Sequence, residues 1–302
     1  MRISSQSFTN NLLLNFNRNN AQLGTVQNKI SLQTRLLKPS DDPIASVQLA
    51  QIRREQSAIG QYETNIQRLS GNLATQESSI KGCEQQLLAL KDKLEEAMGG
   101  TLSAEEISGY GKEMASMLES IVTLTNARDQ DGHYLFSGTK TDQQPLVFDK
   151  ESQSWSYRGN NDTASTQVSS GMDVQMTTAL IPAFGENLEM LNTVYAVTQK
   201  MQDGSQNPPD YFAEMQEAFN AIDSAHVKVG ALYTELGARQ NNLTLLNDIH
   251  GDNGVVNDTV INSLTTLNMA EASIDLARLY NATVGAQKSY TRIQQLSLFS
   301  LI

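Results

Sequence analysis

The fold of this chain is decided by residues 52–97, which read IRREQSAIGQYETNIQRLSGNLATQESSIKGCEQQLLALKDKLEEA. An apolar side chain returns at every seventh position, and a second, mostly apolar set follows three positions later. Two apolar positions per seven residues are typical of a helix that packs along another helix. The pattern predicts one helix from about Pro43 to Met98, which would be ~80 Å long at its usual rise per residue. A helix of this length favours a rod, and therefore a role in construction rather than in chemistry. The first set comprises Ile52, Ile59, Ile66, Leu73, Ile80, Leu87 and Leu94.

The composition fits thin helical bundles and argues against several kinds of partner. The chain has 302 residues, of which 39% are apolar, and a single Trp, which suits helices that each bury one stripe. Its net charge of −11 argues against nucleic acid. No apolar stretch approaches the roughly 18 residues of a membrane helix, and residues 1–16 lack the apolar segment of a cleaved signal peptide. We therefore expect no nucleic acid and no membrane partner, and any export would occur without a cleaved signal peptide.

The acidic charge is concentrated in the middle of the chain. Residues 1–60 hold seven basic and three acidic side chains, and residues 258–302 hold three of each, so the intervening residues carry −15. Low net charge at the two ends removes the repulsion that keeps protein copies apart. This distribution favours ends that contact other subunits.

Beyond the long seam, the sequence changes from helical to alternating patterns. The capping box Ser103-Ala-Glu-Glu106 predicts a third helix, which should run to about Arg128 and fold back on the second. From Asp129 to Gly185 the helical period is lost, and short alternating segments predict a small β domain. Its strands are expected at His133–Phe136, Leu146–Phe148, Trp155–Tyr157, Thr166–Val168 and Val174–Met176.

The helical period returns at Glu186, and a further helix is predicted from about Asp210 to Ile249. The run His250-Gly-Asp-Asn-Gly254 predicts a break, after which the last helix should begin at about Asn257. The predicted fold class is mainly α with a small β domain. The N- and C-terminal segments form a long antiparallel helical rod or coiled coil, and the β domain is inserted in the middle, so both termini meet at one end.

The segment before the long helix predicts a joint rather than a catalytic site. Ser40-Asp-Asp-Pro43 reads as a helix start, because Asp42 can cap free backbone N–H groups and Pro43 suits the first helical position. We assign Ser40, Asp42 and Pro43 as helix cap and joint. Capping explains the neighbouring carboxylates better than acid–base catalysis does.

No motif in the sequence points to catalysis, to a cofactor or to a metal. The three histidines are scattered, and there is no phosphate-binding glycine loop, nucleophile elbow or dinucleotide fingerprint. Cys83 is the single cysteine, which excludes an intramolecular disulfide, and it lies on the apolar seam as a small core residue. We expect no enzymatic activity and no bound cofactor.

The two ends of the chain have weak helical seams. Amides and hydroxyls interrupt the apolar positions at Asn19, Gln33, Thr283 and Ser297. A helix pair with so little apolar mass would be marginal in isolation. Packing against further copies in a polymer would supply the missing burial.

Five short motifs in order resemble one protein family. They are Met1-Arg-Ile-Ser4, Arg35-Leu-Leu-Lys-Pro-Ser-Asp-Asp-Pro43, Asp131-Gly-His-Tyr-Leu-Phe-Ser-Gly138, Gly237-Ala-Arg-Gln-Asn241 and Gln294-Gln-Leu-Ser-Leu-Phe299. Together they resemble the family of flagellar hook-associated protein 3, the hook–filament junction protein of bacteria and a relative of flagellin. The resemblance covers both ends and part of the middle, and the β segment is the least matched part.

The resemblance implies a structural role in motility outside the cell. A member of this family is exported through the flagellar type III channel without a cleaved signal peptide, while a chaperone holds its C-terminal helix. It forms a short ring of copies between hook-associated protein 1 and flagellin. The terminal helices would then be the subunit interface, through Phe8, Leu12, Phe16, Leu23, Val26, Ile30, Leu276, Leu279, Tyr290, Ile293, Leu296 and Phe299.

The resulting domain organisation has three parts. Residues 1–42 and 258–302 are the terminal coiled-coil assembly segments, residues 43–128 and 186–257 the helical rod domain, and residues 129–185 the small outer β domain. Two alternatives remain for the function. One is a flagellin-type filament subunit, and the other is a secreted type III effector or binding module with a β ligand-binding head.

Overall fold

A computed structural model describes residues 2–99, 102–203 and 210–299, without the side chains of residues 2–6, 8, 9, 186 and 293–299. Its helices are α1 (Arg2–Leu32), α2 (Pro43–Gly99), α3 (Ala104–Thr125), α4 (Glu189–Asp203), α5 (Phe212–Thr265) and α6 (Met269–Phe299). Its strands are β1 (Leu146–Asp149), β2 (Ser154–Tyr157), β3 (Ser165–Ser169) and β4 (Met172–Gln175). The prediction of a mainly α fold with a small β region inserted in the middle is confirmed.

The chain divides into two compact units. One comprises Met1–Ala58 together with Asp252–Ile302, and the other comprises Ile59–Gly251. The predicted three-part division into assembly segments, rod domain and outer β domain stays a prediction, because it concerns roles in an assembly that compactness alone does not test.

The unit of residues 59–251 is built on the heptad seam of α2. Every seventh residue from Ile59 to Leu94 is buried, and the companion positions from Leu69 onward are buried as well. Cys83 belongs to the companion set, and burial raises the pKa of its thiol to about 12. The thiol is therefore protonated at neutral pH and behaves as a small core residue. The buried seam confirms the helix that the sequence predicted.

Helix α3 begins as the capping box predicts and packs against α2. The Ser103 side chain accepts a hydrogen bond from the Glu106 backbone N–H, while the Glu106 carboxylate accepts one from the Ser103 N–H at 2.8 Å. Leu124 of α3 lies against Gly82 of α2, where an added Cβ would meet its side chain at 3.0 Å. The close approach explains why a glycine stands on this face of α2.

The β region consists of two antiparallel hairpins, β1–β2 and β3–β4. Four of the five predicted strands are present, but the strand predicted at His133–Phe136 is wrong. Leu135 and Phe136 are both buried although they are consecutive, and the β pairing of this segment is limited to one isolated bridge between Arg128 and Tyr134. Successive residues of a strand point to opposite faces, so a turn is what buries this adjacent pair.

The predicted break at residues 250–254 is also wrong. Helix α5 runs through it without interruption to Thr265, and the chain turns only at residues 266–268 before α6 begins at Met269. Asn268 starts α6 by accepting a hydrogen bond from the Ala270 N–H at 3.2 Å. The last helix therefore begins twelve residues later than the glycines suggested.

The unit that contains both ends of the chain is an arrangement of α1, α6 and the adjoining ends of α2 and α5. Helix α1 stops at Leu32, and Gln33 adopts a left-handed conformation with φ of 52°. Thr34 and Thr266 form an antiparallel bridge, so α1 and α6 run in opposite directions. The Gln56 amide donates to the Asp258 carboxylate at 2.7 Å and joins α2 to α5.

Over the described ranges, none of the helices combines the length and apolar character needed to cross a lipid bilayer.

Candidate functional site

The predicted interface positions form the seam between α1 and α6. On each helix the less exposed positions alternate in steps of four and three residues, which is the spacing of a coiled coil. Leu12 and Phe16 of α1 lie beside Ala286 and Tyr290 of α6, and these residues help to line an apolar cavity of about 110 Å³. The heptad pattern of the terminal segments thus corresponds to a two-helix seam within one chain.

The structure places eight of the predicted interface residues on this seam, and all but one of them are only half-buried. The half-buried ones are Leu12, Phe16, Leu23, Val26, Ile30, Leu276 and Tyr290. Leu279 is 9% exposed and is the most buried of the set. The side chains of Phe8, Ile293, Leu296 and Phe299 lie outside the described residues.

The unit that carries this seam has almost no core of its own. Among its described side chains, the buried ones are Ala45, Asn257, Ala272, Leu279 and Thr283. Only Leu279 among them is a large apolar residue, and two are polar. Most helical stability in proteins comes from tertiary packing of an apolar face, so α1 and α6 hold each other only weakly.

Sequence reasoning missed a second group of apolar side chains, which face solvent. Eleven of the seventeen exposed large apolar side chains in the described chain belong to this unit. Ile44 is 75% exposed, Ile274 69% and Val47 66%. They lie off the heptad seam, so a search for seven-residue spacing passes over them. Single exposed apolar side chains are ordinary on protein surfaces, so it is their concentration in one unit that points to protein contact here. The group comprises Leu13, Leu14, Leu32, Ile44, Val47, Val255, Val256, Val260, Met269, Ile274 and Tyr280.

Arg35 makes three of the hydrogen bonds that hold the predicted joint together. Arg35 donates from Nη1 to the Asp42 carboxylate at 2.8 Å and from Nη2 to the Leu264 carbonyl at 3.0 Å. Its backbone N–H donates to the Thr265 carbonyl at 2.7 Å. Asp42 in turn accepts a hydrogen bond from the Ala45 N–H at 3.1 Å. Arg35 therefore ties the last turn of α5 to the cap of α2.

The carboxylates of the joint are stabilised in their charged form. Arg35 holds the pKa of Asp42 below its ordinary value, mainly by its hydrogen bond, and the Leu37 N–H does the same for the pKa of Asp41. Their contribution to the joint is therefore present above the ordinary pKa of a carboxyl group and is lost as the pH falls through the lowered value. Pro43 is the first residue of α2, and Ser40 is an exposed residue of the turn before it.

A small cluster of possible metal ligands lies in the loop after α3. Asp129, Asp131 and His133 bring one ligand atom each within 4.8 Å of one another, which the spacing in the sequence did not suggest. One carboxylate oxygen of Asp129 already accepts hydrogen bonds from the Asp131 and His133 backbone N–H groups, at 2.9 and 2.8 Å. The turn itself accounts for the arrangement.

A cavity lies beside the β region. It measures about 560 Å³ and lies between β2 and the segment around residues 181–188. Trp155, Tyr157, Asn161 and Asn187 are among its lining residues, and none of the lining residues whose side chains the structure describes is charged. The described part of this cavity brings together no acid, base and nucleophile of the kind that hydrolytic or transfer chemistry requires.

Comparison with known proteins connects this architecture to bacterial flagella. Residues 3–141 match the model of the bacterial flagellin N-terminal helical region. Flagellar hook-associated protein 3 of Salmonella typhimurium is 23% identical over 325 aligned positions, which cover 100% of this chain and 99% of that protein.

Two solved structures are similar over most of the chain. One, assigned as a flagellar hook-associated protein of Vibrio parahaemolyticus, is 33% identical with a TM-score of 0.68, and the match covers 75% of this chain and 100% of that one. Flagellar hook-associated protein 3 of Legionella pneumophila is 15% identical with a TM-score of 0.62, covering 71% of this chain and 98% of that one. At this lower identity the likeness shows the fold alone.

Proposed function

Because this chain belongs to the family of flagellar hook-associated protein 3, we propose that it is a structural subunit that joins the flagellar hook to the filament. In this proposal the subunit polymerises through its terminal helices and has no enzymatic role. Location in the bacterial flagellum follows from the family. The junction position, the partners and the mode of assembly are the parts that experiment must test.

The observation that carries the proposal is the contrast between the two units. Residues 59–251 surround a continuous buried core, whereas the unit with both chain ends buries one large apolar side chain among its described residues, Leu279. The same unit exposes most of the large apolar side chains. A surface of this kind is stabilised when neighbouring copies cover it. The proposed interface is therefore the α1–α6 seam together with the exposed apolar group around it.

The low charge of the ends supports contact between copies. Residues 1–60 carry a net charge of +4 and residues 258–302 a net charge of zero, while the acidic excess lies between them. Copies that meet through their ends would avoid the repulsion between their acidic middles. The joint of Arg35 and Asp42 would fix the chain where α1 meets α2, so that each copy offers the same geometry to its neighbours.

The proposed partners follow from the family. They are hook-associated protein 1 on the hook side, flagellin on the filament side, further copies of this chain in a ring, and an export chaperone on the C-terminal helix. The chain would reach the cell exterior through the flagellar type III channel without a cleaved signal peptide. The apolar faces of α1 and α6 give these partners a surface to bind.

Immunogold labelling of flagella tests the proposed position. A strain that lacks this gene would be complemented with the chain carrying an epitope tag in the exposed loop around Gly171, where φ is 73° and no neighbour lies within 4 Å of an added Cβ. We expect label at one narrow band where hook and filament meet, and restored swimming. Label along the whole filament would instead identify a flagellin-type subunit. Release into the medium with no label on flagella would support a secreted effector or binding module.

A further inference from the structure

The run His250-Gly-Asp-Asn-Gly254 lies in the interior of α5, although it has the composition of a helix end. Packing does not require either glycine, because a Cβ added at Gly251 or Gly254 would meet nothing within 4 Å. A glycine in a helix interior makes the helix about fivefold less favourable than alanine at that position. Two such positions within one turn make this the weakest part of a 54-residue helix.

The buried seam of α5 is polar in the same place. Met215, Ile222, Val229, Leu236 and Leu243 follow one another at seven-residue intervals, and all are buried. The next two positions of the series hold His250 and Asn257, which are 4% and 9% exposed. His250 Nδ1 and Asn257 Nδ2 are both buried without a hydrogen-bond partner among the described residues. Buried polar atoms without partners oppose folding, so the seam adds little stability where the glycines weaken the helix.

One contact compensates for this weakness, and it comes from the β3–β4 hairpin. The pairing of β3 with β4 is irregular between Gln167 and Ser169, so Val168 is the extra residue of a bulge. Its carbonyl accepts a hydrogen bond from His250 Nε2 at 2.8 Å. Tyr62 of α2 stacks on the His250 ring with centroids 5.6 Å apart. The bulge thus turns the Val168 carbonyl toward the Nε2–H group of His250, where it accepts a hydrogen bond.

A second contact anchors the same hairpin to α2. The Asn65 side-chain amide donates to the Gln167 carbonyl at 2.8 Å, one residue before the bulge. Because α2 holds the hairpin here, the Val168 carbonyl stays in place opposite His250. We propose that the β3–β4 hairpin is a clasp that keeps α5 helical across residues 250–257, and that this segment opens locally when the clasp is released. The opening is a conformational device of the fold and does not depend on the proposed function.

Hydrogen–deuterium exchange on the full chain tests the clasp. In the unmodified chain we expect the amides of residues 250–257 to exchange faster than those of residues 236–243 in the same helix. Gly251→Ala with Gly254→Ala should slow exchange in the segment about twentyfold, because each change favours the helix about fivefold. His250→Ala should accelerate it, since the clasp loses its donor.

Matched variants separate the clasp from general stability. Gly237→Ala alters another α5 glycine with no neighbour within 4 Å of an added Cβ, and it should leave exchange in residues 250–257 unchanged. His226→Ala removes another α5 histidine, which makes no hydrogen bond to the hairpin in the described chain, and it should also leave that exchange unchanged. Equal protection of residues 236–243 and 250–257 in the unmodified chain would overturn the proposal. So would an alanine pair that leaves the exchange of the segment unaltered, which is informative even if His250→Ala fails to fold.

Discussion

A chain with Leu23→Asp is expected to keep residues 59–251 folded and to be lost from the flagellum. Leu23 lies half-buried on the α1 side of the seam with α6. An assembled subunit would bury the new carboxylate without a partner, which costs about 3–5 kcal/mol. Incorporation should therefore fall by a hundredfold or more, and cells that carry only this variant should not swim. Quantitative blotting of purified flagella against the secreted fraction measures the effect.

The control for this variant places the same charge on the same helix. Gln27 is exposed on α1, so Gln27→Asp adds a carboxylate without burying it in the seam. We expect incorporation of Gln27→Asp within about twofold of the unmodified chain, because surface substitutions cost little. Normal incorporation of Leu23→Asp would show that the seam is not part of the interface.

The second large effect concerns stability. Leu87→Ala should lower the free energy of unfolding by about 2–5 kcal/mol, because Leu87 is fully buried on the α2 seam and its truncation leaves a cavity. The neighbouring Leu88 is 47% exposed, and Leu88→Ala should change that free energy by no more than about 0.5 kcal/mol. Urea unfolding monitored by circular dichroism gives both values. Equal effects of the two substitutions would contradict the assignment of the seam.

Local sequence signals predicted the elements that local physics determines. The seven-residue period located α2 because the buried face of a helix repeats along its own sequence. The capping box located the start of α3 because Ser103 and Glu106, three positions apart, bond to each other's backbone N–H groups. Four of the strands were found because their alternation and their turns are also local.

The errors lie where distant contacts override a local signal. Glycines predicted an end of α5 near residue 250, but the hairpin bonds to His250 across 82 positions of sequence. The strand predicted at His133–Phe136 is replaced by a turn, because the core buries both Leu135 and Phe136. Neither the hydrogen bond to His250 nor the burial of both Leu135 and Phe136 produces a repeating pattern in the sequence.

The candidate interface was only partly accessible to sequence reasoning. Heptad spacing identified the seam positions of α1 and α6, and their role between copies stays a prediction. The exposed apolar group could not be separated from core residues, because hydrophobicity alone does not say which face is covered. Arg35 bonds to Asp42, seven positions away, and also to the Leu264 carbonyl, 229 positions away. Only the fold reveals the second of these contacts.

The central claim is that α1 and α6 gain their stability from neighbouring subunits. Hydrogen–deuterium exchange of the purified chain and of assembled flagella tests it most directly. We predict rapid exchange for the amides of residues 10–32 and 269–292 in the free chain, and strong protection of both segments after assembly. Slow exchange in the free chain, unchanged by assembly, would contradict the claim.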